Sequence, residues 1–364
     1  MFQFSSFRSA LPGAIIALSL LPGTMALPGT AAADPVADFY RGKTVRVVIG
    51  FGVGGGYDLY GRLPSQYMSK FIPGHPQVVA QNMPGAGGRR AAQYVNTAAP
   101  KDGTVLAAPN MHMALEGILD PKKGAKMDIS KINWIGRWAP SIDVGISWHT
   151  SKVKKLEDAK THQVVVAASG KTSSASLVPW ALNKIAGTKF KVVLGYKGSR
   201  SFTMAMLQGE ADAQSAIGWT TIKARRPEWL TEHKINILWQ LSQTRLPDLP
   251  NVPAYPEFAS NDLDRSVLKL IASSGGIGRT LFAPAGTPAD RVAALRKAFW
   301  QMVNDPEFRA AMKKRRVDID PAPGDKVAEL VNKAISAPAN VITRARWAVA
   351  PEKSEMRKKK KAKK

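Results

Sequence analysis

Short apolar runs alternate along the chain with segments in which apolar residues recur every three or four positions. Residues 45–49, 77–81 and 105–109 have the pattern of buried strands, and residues 89–98 have helical spacing. Strands that alternate with amphipathic helices are typical of α/β proteins with mostly parallel sheets. The first third of the chain is therefore predicted to form an α/β unit.

A second series of the same kind begins at residue 163. Residues 163–169 and 190–196 have the composition of buried strands, and each precedes a segment with helical spacing, the second of which runs to Gly209. The chain is long enough for two domains. We therefore predict an α/β fold with two lobes and a central β-sheet in each lobe.

Local signals predict where several helices begin. Pro64 interrupts a helical pattern and should kink or delay that helix, because proline removes a backbone hydrogen bond. Thr287 is predicted to cap a helix that has Pro288 at its first position. Asp305 and Pro306 predict the start of the next helix by the same reasoning.

The first 33 residues have the order of a secretory signal peptide. Arg8 gives a basic start, residues 11–21 are apolar but too short to span a bilayer, and small residues precede Asp34. We expect cleavage near Ala33 and Asp34 and a periplasmic protein. The absence of cysteine excludes disulfides, thiolate metal sites and a lipid-anchored cysteine.

The formal net charge is +25, and part of it lies in a basic tail at residues 351–364. The tail holds eight Lys or Arg and two Glu, a net charge of +6, and the remaining excess is spread along the chain. A basic tail suits polyanion binding, but it is also typical of a solvated chain end. No nucleic-acid partner is expected, because the spacing of nucleic-acid modules does not accompany the lysines.

The glycines after the first predicted strand satisfy the pattern G-x-G-x-x-G at Gly50, Gly52 and Gly55. A dinucleotide site also requires an acidic residue about twenty positions further on, at the end of the second strand. That strand ends in Gln81 and Asn82. The pattern alone therefore gives weak support for a dinucleotide.

A second resemblance to a nucleotide site, at residues 169–172, lacks an essential part. Val165 stands where a P-loop has its first glycine. The five histidines are scattered singly and form no metal motif. No cofactor and no metal are expected.

Two glycine-rich turns, FGVGGGYD and MPGAGG, each follow a predicted strand and precede a helix. Glycines allow successive N–H groups to point toward one position, and a helix N-terminus adds partial positive charge. Turns that follow neighbouring strands converge beyond the strand ends, where a carboxylate suits such a cradle. The alternative is that both are tight turns without a ligand.

These segments resemble, in order and spacing, the substrate-binding receptors of tripartite tricarboxylate transporters, the Bug-type periplasmic receptors. The resemblance rests on FGVGGGYDLYGR, VVAQNMPGAGGRRAA, APKDGTVLAA, YKGS, QGEADA, PDLPNVP and LFAPAGTPADRVAALRKAF, over nearly all of the mature chain. It implies a two-lobed type II periplasmic binding protein of the Venus-flytrap kind. Such a protein closes on a small carboxylate and presents it to the permease subunits of a membrane transporter.

On this resemblance, the first lobe is expected to comprise residues 34–139 and 243–350, and the second lobe residues 140–242. The chain should cross between them near residues 139–145 and 239–244. We expect a monomer that is not an enzyme and that binds a dicarboxylate, a tricarboxylate or an aromatic acid.

The resemblance also implies which segments surround the ligand. They are the first glycine loop (Val53, Gly54, Gly55, Gly56, Tyr57, Asp58), the second glycine loop (Pro84, Gly85, Ala86, Gly87, Gly88), the serine loop (Ser169, Gly170, Lys171, Thr172, Ser173, Ser174) and the tyrosine turn (Tyr196, Lys197, Gly198, Ser199). Trp219 is added as an aromatic side chain that could stack on an aromatic acid. The sequence departs from the family at two places. The run from Val53 to Gly56 replaces the usual proline before the first double glycine. The segment after Asp212 lacks the aspartate that many relatives carry.

Several of these residues also have ordinary structural interpretations. Asp58 lies four positions before Arg62, which suits an ion pair on one helix face. Lys171 is either a partner of a distal carboxylate or a solvated cation. Large aromatics such as Trp219 are often core residues.

Two other functions are left open by the sequence. A secreted enzyme could use the glycine loops for catalysis, although a paired nucleophile and base are lacking; turnover of a bound carboxylate would reveal it. A polyanion-binding protein would show a strong salt dependence that disappears when residues 351–364 are deleted.

Overall fold

The computed structural model describes residues 34–120 and 127–351. The signal peptide predicted for residues 1–33 and the basic tail after Pro351 lie outside the described residues. Among the described residues, no helix has the length and apolar character needed to cross a membrane.

The strands of the described chain form two sheets. They are β1 (Thr44–Ile49), β2 (Gln77–Asn82), β3 (Val105–Ala108), β4 (Asn133–Ala139), β5 (Asp143–Trp148), β6 (Val164–Ala168), β7 (Phe190–Leu194), β8 (Ala213–Gly218), β9 (Ile235–Gln240), β10 (Arg279–Ala283) and β11 (Ala322–Pro323). The six-stranded sheet has the order β11-β4-β10-β3-β1-β2, and the five-stranded sheet has the order β7-β6-β8-β5-β9. We call the parts of the molecule built on these sheets the first lobe and the second lobe, respectively. The α/β fold with one central sheet in each lobe is as predicted.

Helices cover both sheets. The α-helices of the described residues are α1 (Pro35–Tyr40), α2 (Gly56–Gly61), α3 (Leu63–Tyr67), α4 (Arg89–Thr97), α5 (Met113–Leu119), α6 (Asp158–Thr161), α7 (Ser174–Ile185), α8 (Ser199–Leu207), α9 (Trp219–Arg225), α10 (Pro227–Thr231), α11 (Asp262–Ile277), α12 (Ala289–Asn304), α13 (Pro306–Lys314), α14 (Gly324–Ile335) and α15 (Ala339–Ala348). Short 3₁₀ turns occur at Ser69–Phe71, Ala86–Gly88, Ile129–Lys131 and Tyr255–Phe258.

Both sheets are mixed, so the prediction of mostly parallel strands is right for only part of each. β1 pairs in parallel with β2 and β3, and β6 pairs in parallel with β7 and β8. The pairs that involve β4, β5, β9 and β10 are antiparallel. β4 and β5 are joined by residues 140–142 yet belong to different sheets. The chain therefore passes from the first lobe to the second within three residues.

The local signals act largely as predicted. At Pro64 the helical pattern splits in two, with α2 ending at Gly61 and Pro64 near the start of α3. Asp305 caps α13 by accepting a hydrogen bond from the Phe308 backbone. The prediction for Thr287 is wrong: Pro288 occupies the cap position of α12, and the Thr287 hydroxyl donates to the Pro284 carbonyl instead.

The largest hydrophobic cluster joins the two lobes. Ala107 and Phe282 of the first sheet and Val166 and Trp239 of the second all belong to it. The C-terminal helix α15 contributes as well, because it packs against α11 and also against α7 of the second lobe. The structure therefore shows the two lobes packed together.

Candidate functional site

The two glycine loops meet where β1 and β2 end. These strands are parallel and in register, with Ile49 opposite Asn82, so the segments that follow them leave the sheet side by side. They approach so closely that a Cβ added to Gly50 would lie 2.7 Å from the Gly88 Cα. Only glycine at position 50 permits this contact.

The serine loop and the tyrosine turn of the second lobe close directly onto the glycine loops. The Gly52 N–H donates to the Lys197 carbonyl over 2.9 Å. The Thr172 hydroxyl donates to the Ala86 carbonyl over 2.9 Å. Gly170 fits so tightly that a Cβ there would lie 2.4 Å from the backbone of the second glycine loop. The four predicted segments are thus brought together in the fold.

A cavity of about 40 Å³ lies between the lobes. Both lobes contribute to its wall. The lining residues are Phe51, Gly52, Gly55, Gly56, Tyr57, Asn110, Asp143, Ser169, Ser173, Ser174, Ala175, Gly198, Ser199, Phe202, Ala216, Ile217, Gly218, Thr221 and Arg279.

Arg279 is the only cation among these lining residues. It is the first residue of β10, and its side chain is 6% exposed. Its Nη2 lies 3.8 Å from Oδ1 of Asp143, which is too far for a hydrogen bond. Its Nη1 is buried and has no hydrogen-bonding partner within the described residues. Because a buried charge is costly unless it is paired and hydrogen-bonded, the wall holds a positive charge that is only partly compensated.

Tyr57 holds the Arg279 guanidinium in place. The guanidinium carbon lies 3.8 Å from the centroid of the Tyr57 ring, and that ring stacks on Phe51 at 4.4 Å. The Tyr57 hydroxyl donates to Asn110 and accepts from the Met111 backbone. Burial raises the pKa of Tyr57 to about 12, against the opposing effect of Arg279, so the ring stays neutral at physiological pH. Stacking on one face fixes the plane of the guanidinium.

Asp143 and Ser169 are two further polar residues of the wall. Burial raises the pKa of the Asp143 carboxyl above its ordinary value, although the neighbouring Arg279 opposes the shift. The Ser169 hydroxyl oxygen is buried and has no hydrogen-bonding partner within the described residues. The wall therefore combines one partly compensated cation with several serine residues, a composition that suits an anion.

The predicted site residues divide into two groups by position. Those that line the cavity are Gly55, Gly56, Tyr57, Ser169, Ser173, Ser174, Gly198 and Ser199. Those that lie outside its wall are Val53, Gly54, Asp58, Pro84, Gly85, Ala86, Gly87, Gly88, Gly170, Lys171, Thr172, Tyr196, Lys197 and Trp219. Ligand contacts by any of these residues stay predictions.

Asp58 has local partners for both of its oxygens. Oδ2 accepts from the Gly54 N–H over 2.9 Å. Oδ1 accepts from Arg62 and from Asn82, each over 2.8 Å. The carboxylate therefore fixes the shape of the first glycine loop and ties it to the end of β2, and the ion pair with Arg62 is as the spacing suggested.

Trp219 lies in a hydrophobic cluster of the second lobe with Ile222 and Trp229. Its indole N–H donates to Asp248 over 3.2 Å. The second glycine loop likewise faces protein: a Cβ on Gly87 would lie 2.9 Å from the Ser173 backbone nitrogen. In this closed arrangement, the second loop contacts the serine loop instead of lining the cavity.

Sequence reasoning missed Asn110, Asp143 and Arg279. Asn110 follows β3, the third parallel strand at the same edge, so the rule that singled out the two glycine loops also applies to it. Arg279 opens the apolar segment RTLFA, where a charged residue at the start of a buried strand is a signal in itself. Asp143 carries no comparable signal, because its position depends on the crossing between the sheets.

His112 is a core residue of the lobe contact. Its ring nitrogens lie 3.2 Å from the Ser174 hydroxyl and 3.1 Å from the Ser274 hydroxyl. Burial lowers its pKa to about 3. This agrees with the interpretation of the single histidines as satisfied core or surface residues. No group of three or more His, Asp or Glu that could hold a metal occurs among the described residues.

Two lobes with a central sheet in each, and a cavity between them, define the class of two-lobed type II periplasmic binding proteins. Solved structures agree with this fold. The chain is similar to the periplasmic binding protein BugD, with 20% identity, a TM-score of 0.65 and coverage of 84% of this chain and 98% of that one. It is also similar to MatC from Rhodopseudomonas palustris with bound malate, with 22% identity, a TM-score of 0.63 and coverage of 85% and 99%.

The family follows from the sequence match. Residues 67–345 match the model of the Tripartite tricarboxylate transporter family receptor, and the chain belongs to this family. A UPF0065 protein of Bordetella bronchiseptica is 27% identical over 293 residues, which cover 79% of this chain and 81% of that protein. The family match contains the second glycine loop, the serine loop and the tyrosine turn, and it begins after the first glycine loop.

Proposed function

We propose that this protein is an extracytoplasmic receptor that captures a small carboxylate between its two lobes and delivers it to the permease of a tripartite transporter. The observation that carries the proposal is the cavity between the lobes. There, a guanidinium nitrogen of Arg279 and the Ser169 hydroxyl are buried without hydrogen-bonding partners in the described part of the chain. The Arg279 charge is only partly compensated by Asp143 at 3.8 Å, and a carboxylate in the cavity supplies the opposite charge.

The first glycine loop supports the proposal by exposing main chain to the cavity. Gly55 and Gly56 form part of the wall. A Cβ on Gly55 would lie 2.8 Å from the Ser199 hydroxyl, so a side chain there would intrude on the second lobe. Hydrogen bonds to a charged group contribute roughly 1.5 to 3 kcal/mol each, so three or four of them are enough for micromolar affinity after ordering costs.

The biological setting of the proposal comes from the family and from the predicted signal peptide. A receptor of this family works with membrane permease subunits, and the bound malate of MatC gives a carboxylate precedent in the same fold. We propose export to the periplasm, cleavage near Asp34 and action as a monomer without cofactor. We also propose that residues 139–145 and 239–244, where the chain crosses between the lobes, act as the hinges of lobe closure.

A thermal-shift screen of the purified mature protein tests this function. Monocarboxylates, dicarboxylates, tricarboxylates and aromatic acids should be compared with chloride and phosphate at equal ionic strength. At least one carboxylate should raise the melting temperature, and calorimetry should give one ligand per chain. The same shift is expected after deletion of residues 351–364. If no carboxylate stabilises the protein, or if all binding disappears with the tail, the receptor function is wrong.

A further inference from the structure

We infer that a cleft beside the first crossing between the lobes is a second binding site, and that it takes a single-chain anionic amphiphile such as a medium-chain fatty acid. The cleft shares no wall residue with the cavity between the lobes, so the inference goes beyond the proposed function. It draws on three features: a separate and roomy cleft, an apolar wall, and two lysines without partners.

The cleft and the cavity lie on different sides of the chain crossing. Ile142 and Asp143 are consecutive residues where β5 begins, and Ile142 lines the cleft whereas Asp143 lines the cavity. Consecutive side chains of an extended backbone point to opposite faces. The cleft has a volume of about 590 Å³ and is partly open to solvent. Small-molecule pockets commonly measure roughly 300 to 1,000 Å³, so the cleft has room for a ligand of its own.

Two helices of the first lobe form the long walls of the cleft. The lining residues of α11 recur every three or four positions and therefore share one face of the helix; they are Ser266, Lys269, Leu270, Ser273 and Gly276. α14 packs against α11 and contributes residues within 330–334. Residues 242–244, which follow β9, complete the wall from the side of the second lobe. The cleft is thus a concave site with walls on several sides.

Apolar side chains make up much of this wall. Leu270 and Val341 are buried, and the half-buried Leu246 and Leu330 pack against hydrophobic clusters of the protein. These two leucines keep part of their surface in contact with water at the cleft. An alkyl chain that lies in the cleft would remove that surface from water, which favours binding.

The charge of the wall selects an anion. Lys269 and Lys333 are its only charged residues, and no Asp or Glu of the described chain belongs to it. The side chain of neither lysine forms a hydrogen bond or an ion pair with the described residues. Both lysines are exposed and flexible, so they can meet an anionic head group without a fixed geometry.

An anionic amphiphile satisfies both parts of the wall. Exposed ion pairs contribute little to binding, so the alkyl chain must supply most of the affinity. A highly charged acid such as citrate would leave the apolar wall uncovered. A cationic amphiphile would cover the apolar wall but would be repelled by the two lysines.

The test is calorimetric titration of the mature protein with hexanoate, octanoate and decanoate, each below the concentration at which it forms micelles. The affinity should rise about fourfold for each added methylene that is buried. Decyltrimethylammonium has a chain of the same length and the opposite charge. It should bind at least about fivefold more weakly than decanoate, because attraction to two lysines is replaced by repulsion.

Gly276→Leu places a side chain in the cleft. A Cβ at this helical glycine would meet no described residue within 4 Å, so the substitution introduces no clash at the backbone. The leucine should compete for the space of the alkyl chain and weaken decanoate binding at least about tenfold, the effect of displacing two methylenes. Gly117→Leu is the matched control: its Cβ would also meet no described residue within 4 Å, and Gly117 does not line the cleft.

The lysines are tested separately. Lys269→Gln and Lys333→Gln should each weaken decanoate binding about 1.5- to 5-fold, as expected for the loss of one exposed ion pair. Lys314→Gln removes the same charge from an exposed position of α13 outside the cleft and should leave the affinity unchanged.

Each outcome decides a definite point. Absence of decanoate binding, or wild-type affinity in Gly276→Leu, overturns the site. Equal binding of decanoate and decyltrimethylammonium overturns the ligand class. If circular dichroism shows that Gly276→Leu is unfolded, the double variant Lys269→Gln with Lys333→Gln decides, and wild-type affinity in it refutes the proposal. Dimers of the mature protein that Gly276→Leu dissociates would show that a second copy covers the cleft instead. The receptor function is tested by short carboxylates, so its failure is distinguishable from the failure of this site.

Discussion

Gly170 offers a direct test of whether ligand binding requires the closed arrangement of the lobes. It lies in the serine loop with an ordinary backbone conformation, so alanine is not strained there on its own account. In the closed structure, however, an alanine Cβ would lie 2.4 Å from the Ala86 carbonyl carbon and from the Gly87 nitrogen. Both contacts are with backbone, which cannot rotate away.

The magnitude follows from this geometry. Ordinary contact begins at 3.4 Å, so Gly170→Ala requires the loops to separate by about 1 Å. The bond from Thr172 to Ala86 at 2.9 Å and the bond from Asn110 to the Thr172 carbonyl at 2.8 Å would then exceed hydrogen-bonding distance. Two such bonds contribute about 1 to 3 kcal/mol in total to closure. The affinity for a ligand that needs the closed form should fall roughly 5- to 150-fold.

The assay is calorimetric titration with whichever carboxylate stabilises the wild type, combined with small-angle X-ray scattering of the liganded proteins. Gly117→Ala is the matched control, because it adds the same methyl group to a helical glycine whose Cβ would meet no described residue within 4 Å. The control should bind normally and become compact with ligand. If Gly170→Ala binds with wild-type affinity and has the same radius of gyration, closure through these loops is not part of binding.

Three further changes test other parts of the structure. Gly87→Val should abolish binding in a thermal-shift assay, whereas Gly187→Val should retain it, because both glycines have φ near 72° but only Gly87 faces backbone of the other lobe. Folding lowers the His112 pKa from 6.5 to about 3, so the stability that depends on its neutral form is complete above pH 6.5 and is lost as the pH falls toward 3. Below the ordinary pKa, the loss is about 1.4 kcal/mol per pH unit. In urea unfolding, the free energy of unfolding of the wild type should therefore fall between pH 7 and pH 5 by about 2 kcal/mol more than that of His112→Gln. Equal losses in the two proteins would contradict the buried neutral ring. Asn261→Ala should lower the free energy of unfolding by about 1 kcal/mol, because Asn261 caps α11 by accepting from the Asp264 backbone; Asn261→Ser should restore it, and no loss in the alanine variant would argue against the cap.

The parts of the fold that follow from local chemistry could be predicted from the sequence. The apolar segments before each glycine loop became β1 and β2, and their parallel pairing placed the loops side by side. Pro64 and Asp305 acted on their own helices, because a missing N–H or a capping carboxylate affects only neighbouring backbone. Thr287 was mispredicted because its hydroxyl found a competing acceptor, the Pro284 carbonyl, within the same turn.

The charged groups of the site could not be predicted in the same way. Arg279 and Tyr57 belong to distant parts of the chain and meet only because β10 inserts between β3 and β4. Asp143 reaches the cavity because the chain leaves the first sheet at Ala139 and starts the second sheet after residues 140–142. Such a position depends on sheet order, and neither spacing nor composition specifies sheet order.

The position of the cavity implies that ligand binding and lobe closure are coupled. Arg279 belongs to the first sheet and Ala216 to the second, and both residues line the cavity. A ligand that contacts both lobes gains its full binding free energy only in the closed form, and it shifts the population toward that form. We therefore expect the carboxylate that stabilises the protein to reduce its radius of gyration in X-ray scattering. An unchanged radius at saturating ligand would show that binding does not depend on closure.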